Sequence, residues 1–393
     1  MMRAARWRSP QRAIAAPALP ASGPACVGRR PVLMAALAGL LGLGGCEAEP
    51  QIRIGLLVGP PDRNGQAGRN GAILAVEQRN AGGGMRGREL QLVVQDVGAG
   101  QDAAQAAGKA LLAAGVDAIV GPFTSAVAMA VLPQVNAARV LMVSPTATAS
   151  ELTGVDDYLV CLSPTAREAG SEFAAVLYQR GQRRVALARA DEETGPAYTR
   201  SWSEAFDTAF RALGGTIVMA SAAPPGLGRP LGDMVRALLA HRPDGLVFVG
   251  GTAEVARMVQ QARKQAPDVP IAVAEPASNL SLIELGGRAV EGAITARQYS
   301  LNDNAAPYAG FQAAYRERFA LLPVYHAIAA YDAVTVLADA MAAQRRGESL
   351  KEAVLRNSPY QGVVQSIVFD RFGDVARKLS FVVVRAGRFE PLR

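Results

Sequence analysis

The segment DAIVGPFTSAVAMAVLPQVNAARVLMVSPTATASEL (residues 117–152) contains two short apolar runs, each followed by small hydroxyl-bearing residues. The first run, DAIV, leads into GPFTS and a helical stretch, and the second run, RVLMVS, leads into PTATASEL. Continuous apolar strands separated by helices are typical of a parallel sheet that is covered on both faces. The segment therefore predicts a strand–helix–strand unit with polar loops at the strand ends.

The same alternation of strands and helices extends through most of the chain. Upstream, the first series contains strand-like and helical stretches at 51–59, 68–81, 89–96 and 102–115. After YLVCLS (158–163) the pattern restarts and continues to the strand-like run 270–275. Helical stretches follow at 306–320, 325–343 and 349–356, and strand-like runs at 363–370 and 379–385. Two series of similar length predict an α/β protein with two doubly wound parallel-sheet lobes.

Five predicted strands of the two series are followed by loops that carry hydroxyl or carboxylate groups. In parallel sheets, ligands bind beyond the carboxyl ends of the strands, where loops lead into helix N-termini. We therefore expect these loops to line a cleft between the lobes. The five loops are GPFTS (121–125), SPTATASEL (144–152), EETG (192–195), GGT (250–252) and EPASN (275–279).

The positive charge of the chain is confined to its beginning. The formal net charge is +7, but residues 1–45 contain six arginines and no acidic residue. Of the 41 basic side chains, 35 therefore remain after residue 45, against 34 acidic ones. The rest of the chain has no block of basic residues that would attract a phosphate backbone, so a nucleic-acid partner is not expected.

The N-terminal residues have the pattern of an export signal. Arg29 and Arg30 precede the apolar run PVLMAALAGLLGLGG (31–45), which is shorter than the roughly 20 residues of a membrane-spanning helix. LGGC (43–46) resembles a bacterial lipobox, so we expect residues 1–45 to be a signal peptide and Cys46 to be lipid-modified. The alternative is an ordinary signal peptide followed by an unmodified cysteine.

The remaining residues give no support for catalysis. Cys161 is the only cysteine after Cys46, and its apolar surroundings favour a buried thiol and no disulfide. The two histidines, His241 and His326, have no metal-ligand spacing. The chain contains neither a G-x-S-x-G motif nor a phosphate-binding G-K-[ST] loop. We therefore expect a protein that is not an enzyme and that carries no metal or cofactor.

Several segments match a known family in the correct order. Residues 54–96 resemble the opening of the periplasmic solute-binding proteins of branched-chain amino-acid ABC transporters, the leucine/isoleucine/valine-binding-protein-like type. Their sequence is IGLLVGPPDRNGQAGRNGAILAVEQRNAGGGMRGRELQLVVQD. The likeness continues through residues 120–153, GGTAEVARMVQQAR (250–263) and FDRFGDV (369–375). It covers roughly residues 52–385.

The resemblance implies a type I periplasmic binding fold, in which two α/β lobes are joined by a three-segment hinge and close on a solute. The three crossings would fall near 162–166, 294–298 and 360–364. Following the signal peptide and a tether at 46–51, lobe 1 would comprise 52–163 and 297–362, and lobe 2 would comprise 164–295 and 363–393.

The resemblance also implies roles for individual residues. Ser125, Thr146 and Thr148 match the positions that hold the ligand α-carboxylate in amino-acid-binding relatives, and Glu275 matches the acid that pairs with the α-ammonium. Short hydroxyls and backbone N–H groups can bind an anion without a buried cation, and a buried carboxylate requires a partner such as an ammonium. The alternatives are a helix cap for Ser125 and a solvated loop acid for Glu275.

Three further residues are expected at the cleft. Thr194 and Thr252 stand where amino-acid-binding relatives often have tyrosines, so a larger or wetter pocket is expected. Phe123 would be either a cleft wall or a core aromatic.

The resulting hypothesis is a periplasmic, lipid-anchored substrate-binding protein of an ABC importer that captures a small carboxylate-bearing solute, an amino acid or a derivative. Its partners would be the solute and the permease subunits. It would be a monomer that contacts the membrane through its lipid anchor only. The alternatives are a ligand sensor of the same fold that signals to an envelope partner, and a ligand-free scaffold that activates a cell-wall enzyme.

Overall fold

A computed structural model describes residues 51–59, 63–192, 194–224, 229–298 and 306–393. The expected signal peptide, the expected lipidation site Cys46 and nearly all of the expected tether lie outside these residues. The described strands are β1 (Ile52–Val58), β2 (Leu90–Asp96), β3 (Ala118–Val120), β4 (Leu141–Ser144), β5 (Leu159–Cys161), β6 (Arg184–Arg189), β7 (Thr216–Ala222), β8 (Gly245–Val249), β9 (Ile271–Val273), β10 (Ile294–Arg297), β11 (Tyr360–Gln361), β12 (Ser366–Ile367), β13 (Ser380–Arg385) and β14 (Arg388–Pro391).

The described α-helices lie between these strands and cover both sheets. They are α1 (Arg63–Ala81), α2 (Gln101–Ala113), α3 (Ser125–Ala138), α4 (Ala166–Gln179), α5 (Pro196–Ala212), α6 (Arg229–Ala240), α7 (Thr252–Gln265), α8 (Leu280–Gly286), α9 (Ala306–Phe319), α10 (Tyr325–Ala343) and α11 (Leu350–Arg356). Among the described helices, none combines the length and apolar character that a membrane crossing requires.

The first sheet is parallel and has the strand order β2-β1-β3-β4-β5. One face packs against α1 and α10, and the other packs against α2 and α3. β3 and β4 are buried along their whole length, which explains why they read as continuous apolar runs.

The second sheet repeats this arrangement and adds two strands. Its order is β14-β13-β10-β9-β8-β6-β7, in which β6 to β10 are parallel and β13 and β14 are antiparallel. Helices α4 and α5 cover one face, and α6, α7 and α8 cover the other. The predicted α/β fold with two doubly wound parallel sheets is therefore confirmed.

The end of the chain differs from the expected strands. The run 363–370 does not form a long strand: β12 pairs for two residues with β11, and the carboxylate of Asp370 then accepts N–H bonds from Phe372, Gly373 and Asp374. These three bonds close a turn, so the segment bends where its apolar pattern predicts extension. The antiparallel strand β14 was not expected.

The core contacts show where the chain passes from one sheet to the other. Leu162 lies in the core of the first sheet and Ala166 in that of the second. Later in the chain, Phe369 and Val375 pack in the first core and Leu379 in the second. This differs from the expected boundary between 362 and 363. The division that we propose therefore assigns residues 363–375 to the first lobe.

A polar cluster joins the first two segments at which the chain changes sheets. The hydroxyl of Ser163, on the first segment, lies 2.7 Å from the Gln298 Oε1 and 2.8 Å from the Tyr325 hydroxyl. Gln365, which the contacts assign to the first lobe, donates to the backbone carbonyl of Gln298 at 2.5 Å. Gln298 therefore connects the first segment, the second segment and residue 365 by hydrogen bonds.

A buried ion pair lies at the end of this cluster. The Arg377 Nη2 is 3.7 Å from the Asp332 Oδ2, and both side chains are only 2% exposed. The other carboxylate oxygen of Asp332 accepts the N–H of Val363 at 2.9 Å. Burial raises the pKa of Asp332 to about 6, although the Arg377 guanidinium and the Val363 hydrogen bond act in the opposite direction.

We expect Asp332→Ala to lower the free energy of unfolding by about 3–5 kcal/mol, because it leaves the Arg377 guanidinium buried without its carboxylate. Arg236→Ala is the matched control, since Arg236 pairs with Asp233 on the surface with both side chains more than half exposed. Its expected effect is about 1 kcal/mol or less. Urea unfolding of both variants measures the difference, and equal losses would contradict a structural role for the buried pair.

Candidate functional site

The first lip of the candidate site lies beyond the carboxyl ends of β3 and β4. Gly121 turns the chain out of β3 with a φ of 95°, and a Cβ at this position would lie 2.3 Å from the Leu57 carbonyl oxygen. Only glycine fits such a turn against a neighbouring strand. The turn directs residues 122–125 over the edge of the sheet and starts α3 at Ser125.

Ser125 ties together the two loops of the first lip. Its side chain is 2% exposed, and its Oγ accepts the backbone N–H groups of Thr148 and Ala149, each at 3.0 Å. The hydroxyl proton is the remaining hydrogen-bonding capacity of this side chain. Ser125 therefore orders the loop after β4 in addition to starting a helix.

Thr146 and Thr148 have different surroundings on this loop. The Thr146 hydroxyl donates to the backbone carbonyl of Phe123 at 2.6 Å. Thr148 is 3% exposed, and its hydroxyl has no hydrogen-bond partner within the described residues. Its carbonyl accepts the N–H of Ala166 at 2.9 Å, which fixes the backbone next to the first crossing. The backbone of Thr148 is therefore fixed on both sides, while its side-chain hydroxyl has no bond within the described residues.

Phe123 is in contact with helices of its own lobe. Its ring stacks on His326 of α10, with 5.7 Å between the ring centroids. It also lies against Gly68 of α1, where a Cβ would come within 2.6 Å of the ring. These contacts are those of a partly buried aromatic that packs at the edge of the core.

The second lip includes the loops after β6 and β8. The hydroxyl of Thr252, at the first residue of α7, accepts a hydrogen bond from the Asn279 Nδ2 at 2.7 Å. The Thr194 hydroxyl is buried and has no partner within the described residues. The Glu254 carboxylate accepts the N–H groups of Gly251 and Glu192, so it connects the loop after β8 to the loop after β6.

Glu275 stands at the end of β9 and is held by two neutral donors from α5. One carboxylate oxygen accepts the Tyr198 hydroxyl, and the other accepts the Trp202 Nε1–H at 3.0 Å. The described residues form no ion pair with Glu275. Burial raises the pKa of Glu275, while hydrogen bonds from Tyr198, from its own backbone N–H and from Trp202 oppose the rise. Within the described residues, Glu275 is therefore a partly buried carboxylate without a counter-ion.

Helix α5 brings the two lips into contact. Ser201 lies between Tyr198 and Trp202 on one helical face, and its Oγ accepts the Ser150 N–H at 3.1 Å. The same hydroxyl donates to the Glu151 carboxylate at 3.1 Å. Ser150 directly follows the loop that Ser125 orders. Continuous contacts therefore lead from the Ser125 hydroxyl to the Glu275 carboxylate.

A second contact between the lobes involves α1 and α8. The Arg63 Nη1 donates to the Glu284 carboxylate at 2.8 Å and lies 3.2 Å from the Ser281 hydroxyl. Both ends of this ion pair are about half exposed, so its contribution is on the order of 1 kcal/mol or less. It adds little energy to the contact between the lobes compared with the buried groups on α5.

The arrangement suits a zwitterion better than a simple cation or anion. The first lip offers hydroxyl groups and helix-start N–H groups, which can hold a carboxylate. The second lip offers a carboxylate that has no positive partner within the described residues, and such a group can hold an ammonium. Within the described residues, no group of three or more histidine, cysteine, aspartate or glutamate side chains is placed to hold a metal ion.

A cavity of about 260 Å³ lies on the α6–α7 side of the second sheet. It does not include the predicted residues of either lip. Asp191, Glu192, Glu254 and Arg257 supply its charged lining.

Sequence reasoning missed the α5 residues. Tyr198 and Trp202 are spaced like core residues of an amphipathic helix, and Trp202 is completely buried. The Tyr198 hydroxyl and the Trp202 N–H bind Glu275 because β9 ends beside them. Helical spacing alone does not show which strand end lies next to a helix. Nothing in the sequence around Ser201 predicts its contacts with Ser150 and Glu151.

Comparisons with known proteins give a consistent result. A family model described as periplasmic binding protein matches residues 51–388. The Leu/Ile/Val-binding protein BraC3 of Rhizobium johnstonii is 30% identical over 253 residues, which is 63% of this chain and 67% of that relative.

Solved structures share the fold. The leucine binding protein LivK of Thermotoga maritima superposes with a TM-score of 0.78 at 23% identity, covering 87% of this chain and 98% of that chain. The substrate-binding protein LivJ of Streptococcus pneumoniae, in complex with isoleucine, gives a TM-score of 0.77 at 23% identity with the same coverage.

We expect Ser125→Ala to lower the free energy of unfolding by about 1–3 kcal/mol, because two buried N–H groups lose their acceptor. Thr148→Val keeps the side-chain shape and removes no hydrogen bond among the described residues, so its expected effect is within about 0.5 kcal/mol. Chemical unfolding of the two ligand-free variants tests this contrast. A Thr148→Val variant as unstable as Ser125→Ala would contradict the assignment of a free hydroxyl to Thr148.

Proposed function

The chain belongs to the family of periplasmic binding proteins, and we propose that it is the substrate-binding lipoprotein of an ABC importer that captures an amino acid or a derivative. The observation that carries this proposal is the opposite chemistry of the two lips. Thr148 offers a hydroxyl on one lobe, and Glu275 offers a carboxylate without a counter-ion on the other. A ligand with a carboxylate and an ammonium satisfies both.

The names of the relatives support an amino-acid ligand. BraC3 is named a Leu/Ile/Val-binding protein, and the Streptococcus pneumoniae structure contains isoleucine. The side-chain pocket of this chain differs from the aromatic-walled pocket that the family resemblance implies. Thr194 and Thr252 supply short polar groups instead of tyrosine rings, so we propose a wider or more hydrated side-chain pocket.

Ligand capture would couple to closure of the lobes. Closing around the ligand removes water from both lips, and electrostatic interactions are stronger where water is excluded. The Ser201–Ser150 contact, present in the structure, would hold the α5 face against the loop after β4 in the closed state. A closed pair of lobes also presents a single surface that permease subunits can recognise.

The remaining parts of the proposal concern location and assembly. We propose that Cys46 carries the lipid anchor after the signal peptide is removed, which keeps the protein in the periplasm next to its permease. The protein would act there as a monomer, and its two lobes would supply all of the ligand-binding groups.

We expect at least one of the common amino acids to stabilise the protein, by about 2.7 kcal/mol when the ligand is present at 100 times its dissociation constant. Calorimetric unfolding with each amino acid, its deaminated acid and its amide measures this effect. The zwitterion should bind more tightly than either analogue. A protein that responds to none of these compounds would contradict transport of an amino acid and would favour a ligand-free scaffold.

With the amino acid that binds, Thr148→Val and Glu275→Gln should each weaken binding by about 1–3 kcal/mol, because each removes a partner of a buried polar group. Glu204→Gln is the matched control: it removes a carboxylate from the exposed face of α5 and should leave the affinity unchanged. Isothermal titration calorimetry measures all three. Unchanged affinity in both Thr148→Val and Glu275→Gln would exclude the proposed pocket.

A further inference from the structure

The Glu275 carboxylate is held by a pair of donors that carry no charge. Tyr198 donates to one oxygen, and Trp202 donates to the other at 3.0 Å. An indole N–H can only donate, so Trp202 requires an acceptor. Two donors on two oxygens suit a carboxylate and do not suit an amide, which has a single acceptor oxygen.

Aromatic packing fixes the indole donor in place. The Trp202 ring stacks on Phe206 with 5.3 Å between centroids and 7° between planes, and Phe206 stacks on Phe210 in the same manner. Phe173 of α4 meets the indole edge-on at 5.1 Å. Because Trp202 is fully buried among these rings, its N–H direction is set before any ligand arrives.

The other charged groups around this turn do not neutralise Glu275. Glu172 of α4 is acidic and disfavours the ionised form. On β10, the Arg297 guanidinium interacts with Tyr308, and on α7 the Glu254 carboxylate accepts the N–H groups of Gly251 and Glu192. The side-chain donors to Glu275 within the described residues are therefore Tyr198 and Trp202, and its own backbone N–H acts in the same direction.

From this geometry we propose that Tyr198 and Trp202 are positioning residues that orient Glu275 for a ligand ammonium, and that binding of this ammonium is coupled to ionisation of Glu275. The inference rests on the proposed function and specifies how its second lip works. The O–H bond of the protonated Glu275 carboxyl breaks, its proton passes to solvent, and the ligand N–H groups donate to the carboxylate. A purely structural tie between β9 and α5 would show no such coupling.

The direction of the pH effect follows from the environment of Glu275. Burial raises its pKa above the ordinary value of 4.5, so the free protein retains this proton to a higher pH than an exposed glutamate. An ammonium favours the ionised form and lowers the pKa. Affinity for a zwitterion should therefore fall as the pH decreases through the pKa of the free protein, and it should be constant well above that value.

The chain provides its own reporter for this equilibrium. It contains two tryptophans, Trp7 and Trp202, so the full chain with Trp7→Phe has Trp202 as its single tryptophan. In this background, tryptophan emission measured between about pH 4 and pH 9 follows the group to which the indole donates. We expect a transition with a midpoint above 4.5. Glu275→Gln should abolish it, and Glu204→Gln should retain it.

Two changes to this transition test the two halves of the proposal. Tyr198→Phe keeps the ring but removes a donor to the carboxylate, so the midpoint should rise by about one pH unit, a tenfold change in proton affinity. Tyr331→Phe is the matched control, because its hydroxyl bonds Gln78 in the first lobe, and it should not change the midpoint. Saturating L-isoleucine, or another amino acid that stabilises the protein, should lower the midpoint, whereas its deaminated acid should not.

The outcomes separate this inference from the proposed function. A transition that persists in Glu275→Gln, or a midpoint that Tyr198→Phe leaves unchanged, overturns the positioning role even if an amino acid binds. A midpoint that responds to Tyr198→Phe but to none of the twenty amino acids overturns the amino-acid function and the coupling to ammonium. We expect the midpoint to change both with Tyr198→Phe and with a bound amino acid.

Discussion

The hydrogen bonds of one face of α5 are the constraint on which the candidate site depends. Tyr198 and Trp202 hold the carboxylate at the end of β9, and Ser201 between them holds the loop after β4. Neither sheet alone places Glu275 near the hydroxyls of the first lobe. Because residues three and four apart share a helical face, one rigid helix relates the two lips. Its buried aromatic ladder keeps Trp202 fixed on this face.

Strand and helix positions could be predicted from the sequence where burial is uniform. β3 and β4 are buried on both faces, so their apolar runs are continuous and unambiguous. Chain order then predicts which strand ends carry polar loops, and Ser125, Thr148 and Glu275 all lie at such ends. The structure of residues 363–370 was harder to predict, because Ile367 and Phe369 are buried while Val368 is exposed. That alternation indicates a strand, yet the Asp370 turn ends the extended segment.

The partners of the site residues could not be predicted, because they depend on contacts between distant parts of the chain. Ser125 reads as a helix start, and the structure adds that it accepts two N–H groups from residues 148 and 149. Glu275 reads as a loop acid or a ligand for an ammonium, and its donors lie 77 and 73 residues away. Periodicity describes the local face of a helix, but it does not identify the strand end that this face meets.

The two lips are each electrostatically incomplete, and this links ligand capture to closure. The predicted residues of the first lip, Ser125, Thr146 and Thr148, carry no charge, so in the proposed function they would bind a carboxylate well only when water is excluded. The second lip has a desolvated carboxylate, so closing it without a cation is unfavourable. In the function that we propose, an empty cleft gains little from closing, whereas a zwitterion would supply both missing charges at once. A ligand with only one of these charges would leave the other lip unsatisfied. Discrimination thus arises from the cost of that unsatisfied group as well as from the contacts that form.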